Sequence, residues 1–253
     1  MANSACVGCG KPFTEVARSR EHILPGWLAQ EIKQPELSLK QYLHDEDKTE
    51  NELLRDHDLG SFVIKSVCET CNNGWMSRLE GRAKPLILDL MNMRVSHLEL
   101  SPEQRTTLSA WAIKTAFMIA SAQQSITDLP WHLFSQLGEE PQRVPTECFV
   151  LASQLPFLPK GFLYACPSDA SPESGSVQVR IALSINHLHF VVVIPQFPAQ
   201  RIVQTSGVHI PLWPLDAEII VRYETFPRLK TASELINFLA DLVHAGIVTR
   251  RTQ

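Results

Sequence analysis

The clearest periodicity in the chain lies just past residue 100. Leu108, Trp111, Ala112, Ala116, Ile119 and Ala120 recur at helical spacing. Upstream of them Ser101-Pro102-Glu103-Gln104 combines an N-cap serine, a proline at the first helical position and a glutamine at the third. A helix is predicted over 101–124. Its apolar residues cover much of the circumference, so it is expected to be buried between the two halves of the chain. A short helix is predicted over 130–137. The pattern then changes to runs rich in Val, Ile, Phe and Leu, and strands are predicted over 147–153, 161–165, 176–185, 188–195 and 217–223. Ile185-Asn186-His187 turns between two of them and predicts an antiparallel hairpin. Thr231-Ala232-Ser233-Glu234 is a second capping box, and a helix over 235–245 should end near Gly246.

Residues 1–100 are more polar and more punctuated. A short helix is predicted over 25–32. The acidic stretch 34–59 reads as a long loop or insertion. Residues 61–67 alternate around Phe62 and Ile64 and read as a strand leading into Cys68. Asn72 and Asn73 should open a helix through Trp75, Met76 and Leu79, with Pro85 interrupting or restarting it before Leu86, Leu88 and Leu90. The break at 97–101 divides the chain into domains 1–100 and 101–253. The fold class is α+β, the second domain holding a long helix and an antiparallel sheet.

Composition narrows the function classes. With 253 residues, 44% of them hydrophobic, the chain can build a sizeable core without staples. Lys+Arg 23 against Asp+Glu 27 gives a net charge of -4, which excludes a polybasic nucleic-acid binder. It leaves room for a local basic groove or a bound cation. The longest apolar run is interrupted by Lys114 and Ser121, so no membrane span is expected. The first residues lack an apolar core of signal-peptide length, and a cytoplasmic location is expected.

Four of the six cysteines form two Cys-x-x-Cys pairs, Cys6/Cys9 and Cys68/Cys71, with 58 residues between them. In a reducing compartment such pairs point to a metal before a disulfide. Each tight turn can present two thiolates, and two turns complete a tetrahedral, structural zinc site that ties the N-terminus to a distant segment. Ordinary buried cysteines and a redox pair are the alternatives, the latter without a surrounding βαβ pattern. Cys148 and Cys166 read as small buried hydrophobes, and His187 and His189, alternating on one strand, as structural residues.

Between and after the pairs lie Ser19-Arg20-Glu21-His22-Ile23-Leu24-Pro25 and Asn72-Asn73-Gly74-Trp75-Met76-Ser77-Arg78-Leu79-Glu80. A carboxylate can hold a divalent cation while an adjacent imidazole takes a proton from water. Cys-x-x-Cys, Glu-His-Ile-x-Pro and Cys-x-x-Cys-Asn together resemble the HNH (ββα-metal) nuclease family over residues 6–80. The resemblance implies a β-hairpin and helix clasping one catalytic divalent ion, Mg²⁺ or Mn²⁺, with zinc stapling the motif from behind. It implies His22 as general base, Glu21 and Asn72 as ligands of that ion, and Asn73 as a ligand or helix cap. Nucleic acid, DNA first, would be the substrate, and a homodimer would serve double-strand cuts. Defence against foreign DNA is a role by analogy. Arg18, Arg20 and Arg78, with Arg82 and Lys84, are the phosphate-contacting candidates, or else solvated surface charge. The chain departs from the family in its Glu in place of the commoner Asp, and in lacking a clear middle Asn, for which Asn51 and His57 are candidates. Glu80 shares a helix face with Asn73 and reads as a salt-bridge residue or an outer contact of the site. Trp27, Trp75, Met76 and Leu79 read as core.

Two other readings compete. One is a non-catalytic, zinc-stabilised nucleic-acid or protein binding module. The other places an active site in 101–253, which offers neither a nucleophile elbow nor a phosphate-binding glycine loop. The acidity concentrates in residues 1–100, with 12 basic against 15 acidic residues, much of it in 45–58. It reads as a brake on non-specific DNA affinity.

Overall fold

A computed structural model describes residues 4–32, 38–43, 52–58, 63–122, 129–139, 143–154, 162–165, 178–195, 203–206, 210–213 and 219–222. The expected helix over 235–245 with its capping box, and with it Asn51 and Cys166, lie outside the described residues. The architecture is mixed helix and sheet, α+β.

In the first hundred residues, β1 (Glu21–His22) is followed by α1 (Gly26–Ile32), β2 (Ser38–Leu43), β3 (Glu52–Asp58) and β4 (Val63–Ile64). β1 pairs antiparallel with β4, Glu21 opposite Ile64 and His22 opposite Val63. The strand expected over 61–67 is therefore shorter than its alternation suggests. Past Ile64 the backbone turns to bring Cys68 beside Arg18, where the two form an isolated bridge. The stretch read as a long loop holds the antiparallel pair β2–β3. Its charges hid the strands, whose register runs from Ser38 opposite Asp58 to Leu43 opposite Glu52.

The chain enters α2 (Glu69–Cys71) directly from the second cysteine pair, passes through a π-helical turn (Asn72–Met76) and continues as α3 (Ser77–Met91). Gly74, at φ -92 and ψ -108, is the kink inside that turn. Pro85 does not break α3, contrary to expectation. The carbonyl that loses its N–H partner belongs to Gly81, and both residues lie on the exposed side, where that carbonyl is open to solvent.

The capping box at Ser101 forms as its residues dictate. Ser101 N–H donates to Gln104 Oε1 at 2.8 Å and Gln104 N–H donates to Ser101 Oγ at 3.2 Å. It opens α4 (Pro102–Ala122), followed by α5 (Trp131–Gln136). The strands β5 (Phe149–Gln154), β6 (Phe162–Ala165), β7 (Gln178–Ile185) and β8 (Leu188–Pro195) agree with expectation to within a few residues. Asn186 takes φ 50 in the β7–β8 turn. β9 (Val203–Ser206) and β10 (Ile210–Trp213) had no sequence counterpart, and β11 (Ile219–Arg222) pairs parallel with β9. The main sheet is antiparallel in the order β10-β5-β8-β7-β6.

α4 is buried on every side from Leu108 to Ala120. It packs on α3 and on one face of the main sheet, where Trp111 meets Phe190 at 6.1 Å between ring centroids. One apolar cluster runs from Cys6 and Leu79 through α4 to Phe190 and Leu212, so the core crosses residue 100 without a gap. Gln154 of β5 adds a polar tie. Its Nε2 donates to the carbonyls of Leu90 and Val95, both at 2.8 Å, and its Oε1 accepts from the His97 N–H at 2.9 Å.

Trp75 makes a second join. Its ring packs edge-on against Phe134 of α5 at 5.4 Å. A Cβ at Gly138 would sit 2.8 Å from its Nε1 and 3.1 Å from its Cδ1. Gly138→Ala should therefore overpack the join and cost about 1–3 kcal/mol in a urea melt. A change within a few tenths of a kcal/mol would mean that the indole moves aside freely.

Candidate functional site

Cys6 and Cys9 sit on a tight turn closed by Cys6 N–H to Lys11 O at 2.8 Å and Gly10 N–H to Cys6 O at 2.7 Å. Gly10 takes φ 72 there, a left-handed conformation that favours glycine. Cys68 caps α2, its Sγ accepting from the Cys71 N–H at 3.4 Å, while its own N–H donates to Cys6 Sγ at 3.2 Å. The two segments are laced together by Val7 N–H to Ser66 O, Ser19 N–H to Val67 O and Glu69 N–H to Ala17 O. The four sulfurs lie within 4.8 Å of one another, Cys6 to Cys71 at 3.7 Å and Cys9 to Cys68 at 3.8 Å. Thiolates around one zinc at 2.3 Å stand about 3.8 Å apart, so this spacing suits the ion and is far too long for a disulfide.

Electrostatics agree with a cation-dependent cluster. Burial opposes ionisation of Cys6, but the N–H groups of Cys68, Gly8 and Cys9 outweigh it and lower its pKa. Cys9 and Cys71 are pushed up, first by burial and then by nearby sulfur. Cys9 and Cys71 thus resist ionising beside Cys6, and a bound zinc would remove that conflict. The four cysteines could thus hold a metal ion such as zinc. Cys148 is buried, and burial pushes its thiol pKa up, so it stays an inert core residue.

Beside this cluster β1 carries Glu21 and His22. Successive strand residues point to opposite faces. Glu21 is buried, and His22 faces outward and is exposed. Asn72, in the π turn directly after Cys71, donates from Nδ2 to Ser19 Oγ at 2.6 Å. The cysteine lacing therefore brings Asn72 to the strand entrance just ahead of Glu21. Asn73 is exposed. Arg18 stacks over the Phe13 ring at 3.7 Å and donates to Lys65 O at 3.0 Å, which ties it to the fold. Arg20, Arg78 and Arg82 are on the exposed surface, and Lys84 lies over the Trp27 ring at 5.4 Å. His57 is on β3 opposite Leu39. His189 is buried, with its Nδ1 2.7 Å from Ser184 Oγ, and serves the sheet.

The partner of Glu21 is a residue the sequence did not flag for chemistry. Lys114, in the middle of α4, places its Nζ 2.5 Å from Glu21 Oε1 and 2.9 Å from Glu80 Oε1. The lysine side chain is fully buried, Glu21's is 7% exposed and Glu80's 21%. Burial drives the Lys114 pKa down, but the two carboxylates outweigh it and the net shift is upward. Burial dominates at Glu21 and raises its pKa, against the opposing pull of Lys114. One signal was available: a single charge inside the apolar run from Leu108 to Ala120 must find a counter-ion in the core or stay neutral.

A divalent catalytic ion was expected on Glu21 and Asn72. Among the described residues the cysteine cluster is the one group of three or more ligating Cys, His, Asp or Glu side chains close enough to hold a metal. The Glu21 carboxylate is engaged by Lys114, so the residues as arranged do not fit that ion. Among the described residues no helix is long and apolar enough to cross a membrane. Compared with protein-family models, with curated proteins and with solved structures, the chain matches none.

Proposed function

We propose that the chain is an HNH-like endonuclease that hydrolyses phosphodiester bonds in nucleic acid, DNA first, with His22 as the general base. One observation carries this reading. The antiparallel β1–β4 pair presents an exposed His22, and the four-cysteine cluster ties that pair to a helix that opens at its cap Cys68, ahead of the position expected, and carries Asn72 in its second turn. That is the order, strand pair then helix, which the HNH resemblance implies. In this reading the exposed imidazole accepts a proton from the water that attacks phosphorus. Arg20 and Arg78, exposed nearby in sequence, supply positive charge for the phosphate. The half from residue 101 onward backs the site through α4 and serves as an accessory or regulatory part. The Glu21 carboxylate, which in the HNH resemblance would hold Mg²⁺ or Mn²⁺, is engaged by Lys114. A homodimer and a role in defence against foreign DNA remain part of the same proposal.

The test is nicking of supercoiled plasmid by zinc-loaded protein, with Mg²⁺, Mn²⁺ or EDTA in parallel, alongside His22→Ala. Wild type should nick, and the variant should lose about a hundredfold. Equal trace cleavage by both would end the nuclease reading.

The ion pair at Glu21 favours a second reading, a zinc-stabilised binding module without catalysis. Nucleic-acid or protein binding that is unchanged by Glu21→Gln and His22→Ala, with no nicking, would support it.

A further inference from the structure

The inference below rests on taking Glu21–His22 as the reactive site. We propose that the Nζ of Lys114 is the resident cation of the Glu21–Glu80 carboxylate pair, and that it excludes a divalent ion from Glu21. Any hydrolysis at His22 would then proceed with an ammonium group, rather than a metal ion, behind the strand.

Three observations lead here. First, the ammonium lies between the carboxylates, within hydrogen-bond reach of both, so the cation position on Glu21 is already filled. Second, Lys114 has no way to withdraw. It stands in the middle of a helix whose residues from Leu108 to Ala120 are all buried, so an ammonium leaving Glu21 and Glu80 would have no water to enter. A buried charge stripped of its partners carries a heavy penalty. Third, Mg²⁺ demands near-octahedral coordination and keeps several waters. The lysine side chain is fully buried and that of Glu21 nearly so, and neither faces the solvent that would supply those waters.

The more exposed of the two carboxylates, Glu80, is the one that keeps contact with water. His22 lies on the opposite side of β1 and does not compete for the ammonium. Lys114 touches neither solvent nor the face where a substrate would lie. It is a positioning residue that holds Glu21, and through β1 the strand that presents His22.

Mn²⁺ titration of the zinc-loaded full chain, read by the free-ion electron paramagnetic resonance signal, tests this directly. The quantity read is the Mn²⁺ bound by wild type and lost in Glu21→Gln. The expected value is none. About one Mn²⁺ per chain, lost on Glu21→Gln, would overturn the proposal. Lys114→Ala opens space for water between two uncompensated carboxylates. It should gain about one Mn²⁺ per chain and a melting temperature that rises on Mn²⁺ addition, both lost again in Lys114→Ala/Glu80→Gln. A purely structural lysine would produce no such gain. Folded Lys114→Ala that binds no Mn²⁺ would show that the lysine is not what excludes the ion, and would also overturn the proposal. If Lys114→Ala does not fold, the comparison of wild type with Glu21→Gln decides alone. The readout is binding and not cleavage, so the two readings fail separately. Cleavage that needs Mn²⁺ bound at Glu21 upholds the nuclease and overturns the resident lysine. Absence of cleavage, with no ion at Glu21, does the reverse.

Discussion

Cys68→Ser should abolish zinc retention and, with it, the folded state of the first hundred residues. Cys68 does three things at once in the cluster. It supplies a sulfur 3.8 Å from Cys9, its Sγ caps α2 by accepting the Cys71 N–H, and its N–H supports Cys6 Sγ at 3.2 Å. A serine hydroxyl keeps the cap in kind but is a poor zinc ligand at neutral pH and holds its oxygen closer to the backbone than sulfur. Structural zinc contributes about 10–16 kcal/mol in small zinc units, comparable to the whole stability of an ordinary domain. The segments it ties have little else of their own, because β1 and β4 are two residues each. Zinc analysis should give about one ion per wild-type chain and a small fraction of that in Cys68→Ser. Its melt should lose cooperativity, and a strong chelator should bring wild type to the same state. Metal-free wild type with an unchanged melting curve would overturn the zinc assignment. Damage should spread past residue 100, because Met76, Leu79 and Ala83 share one core with α4.

What was legible in the sequence was local. The Ser101–Gln104 box and the run beyond it gave α4 because cap and period are carried by neighbouring residues, and the β7–β8 hairpin was legible for the same reason. The two cysteine pairs were legible because their spacing is itself the signal. What was missed depended on partners distant in the chain. The strands β2 and β3 compete with an acidic composition and are decided by pairing with each other. β4 is cut short by the demand that Cys68 reach Cys6. Pro85 is tolerated because its side of α3 faces water, which the sequence alone does not reveal. Lys114 was seen only as an interruption in an apolar run. Its partners Glu21 and Glu80 lie 93 and 34 residues away, and nothing in local spacing points to either. Glu21 itself was chosen for its place beside His22, and the pairing with Lys114 changes what that carboxylate has available to give.

Lys114→Met should lower stability by about 3–5 kcal/mol at neutral pH, the range for a buried ion pair that loses one partner. Methionine fills much the same space as the lysine stem, so the loss is not a cavity effect. It comes from Glu21 and Glu80, left facing one another with their shared cation gone. The deficit should depend on pH with a definite sign. Burial already holds the Glu21 pKa above its ordinary 4.5, and Lys114 is the largest influence pulling the other way. Removing the lysine raises the folded-state value further. A carboxyl whose folded pKa exceeds its unfolded one stabilises fully below the unfolded value and loses that stabilisation as pH rises through the folded value. The variant should therefore come closest to wild type at and below the ordinary carboxyl value of 4.5 and fall away toward neutrality, which urea melts from below that pH to neutral would reveal. A deficit that stays constant with pH would place its cause in packing. The variant Lys114→Met/Glu21→Gln/Glu80→Gln removes both charges as well, and should recover most of the loss at neutral pH. A well-packed neutral group often replaces a buried ionic one at little cost. Recovery of stability without recovery of His22-dependent nicking would then separate the two tasks of Lys114, holding the fold and holding Glu21 in place.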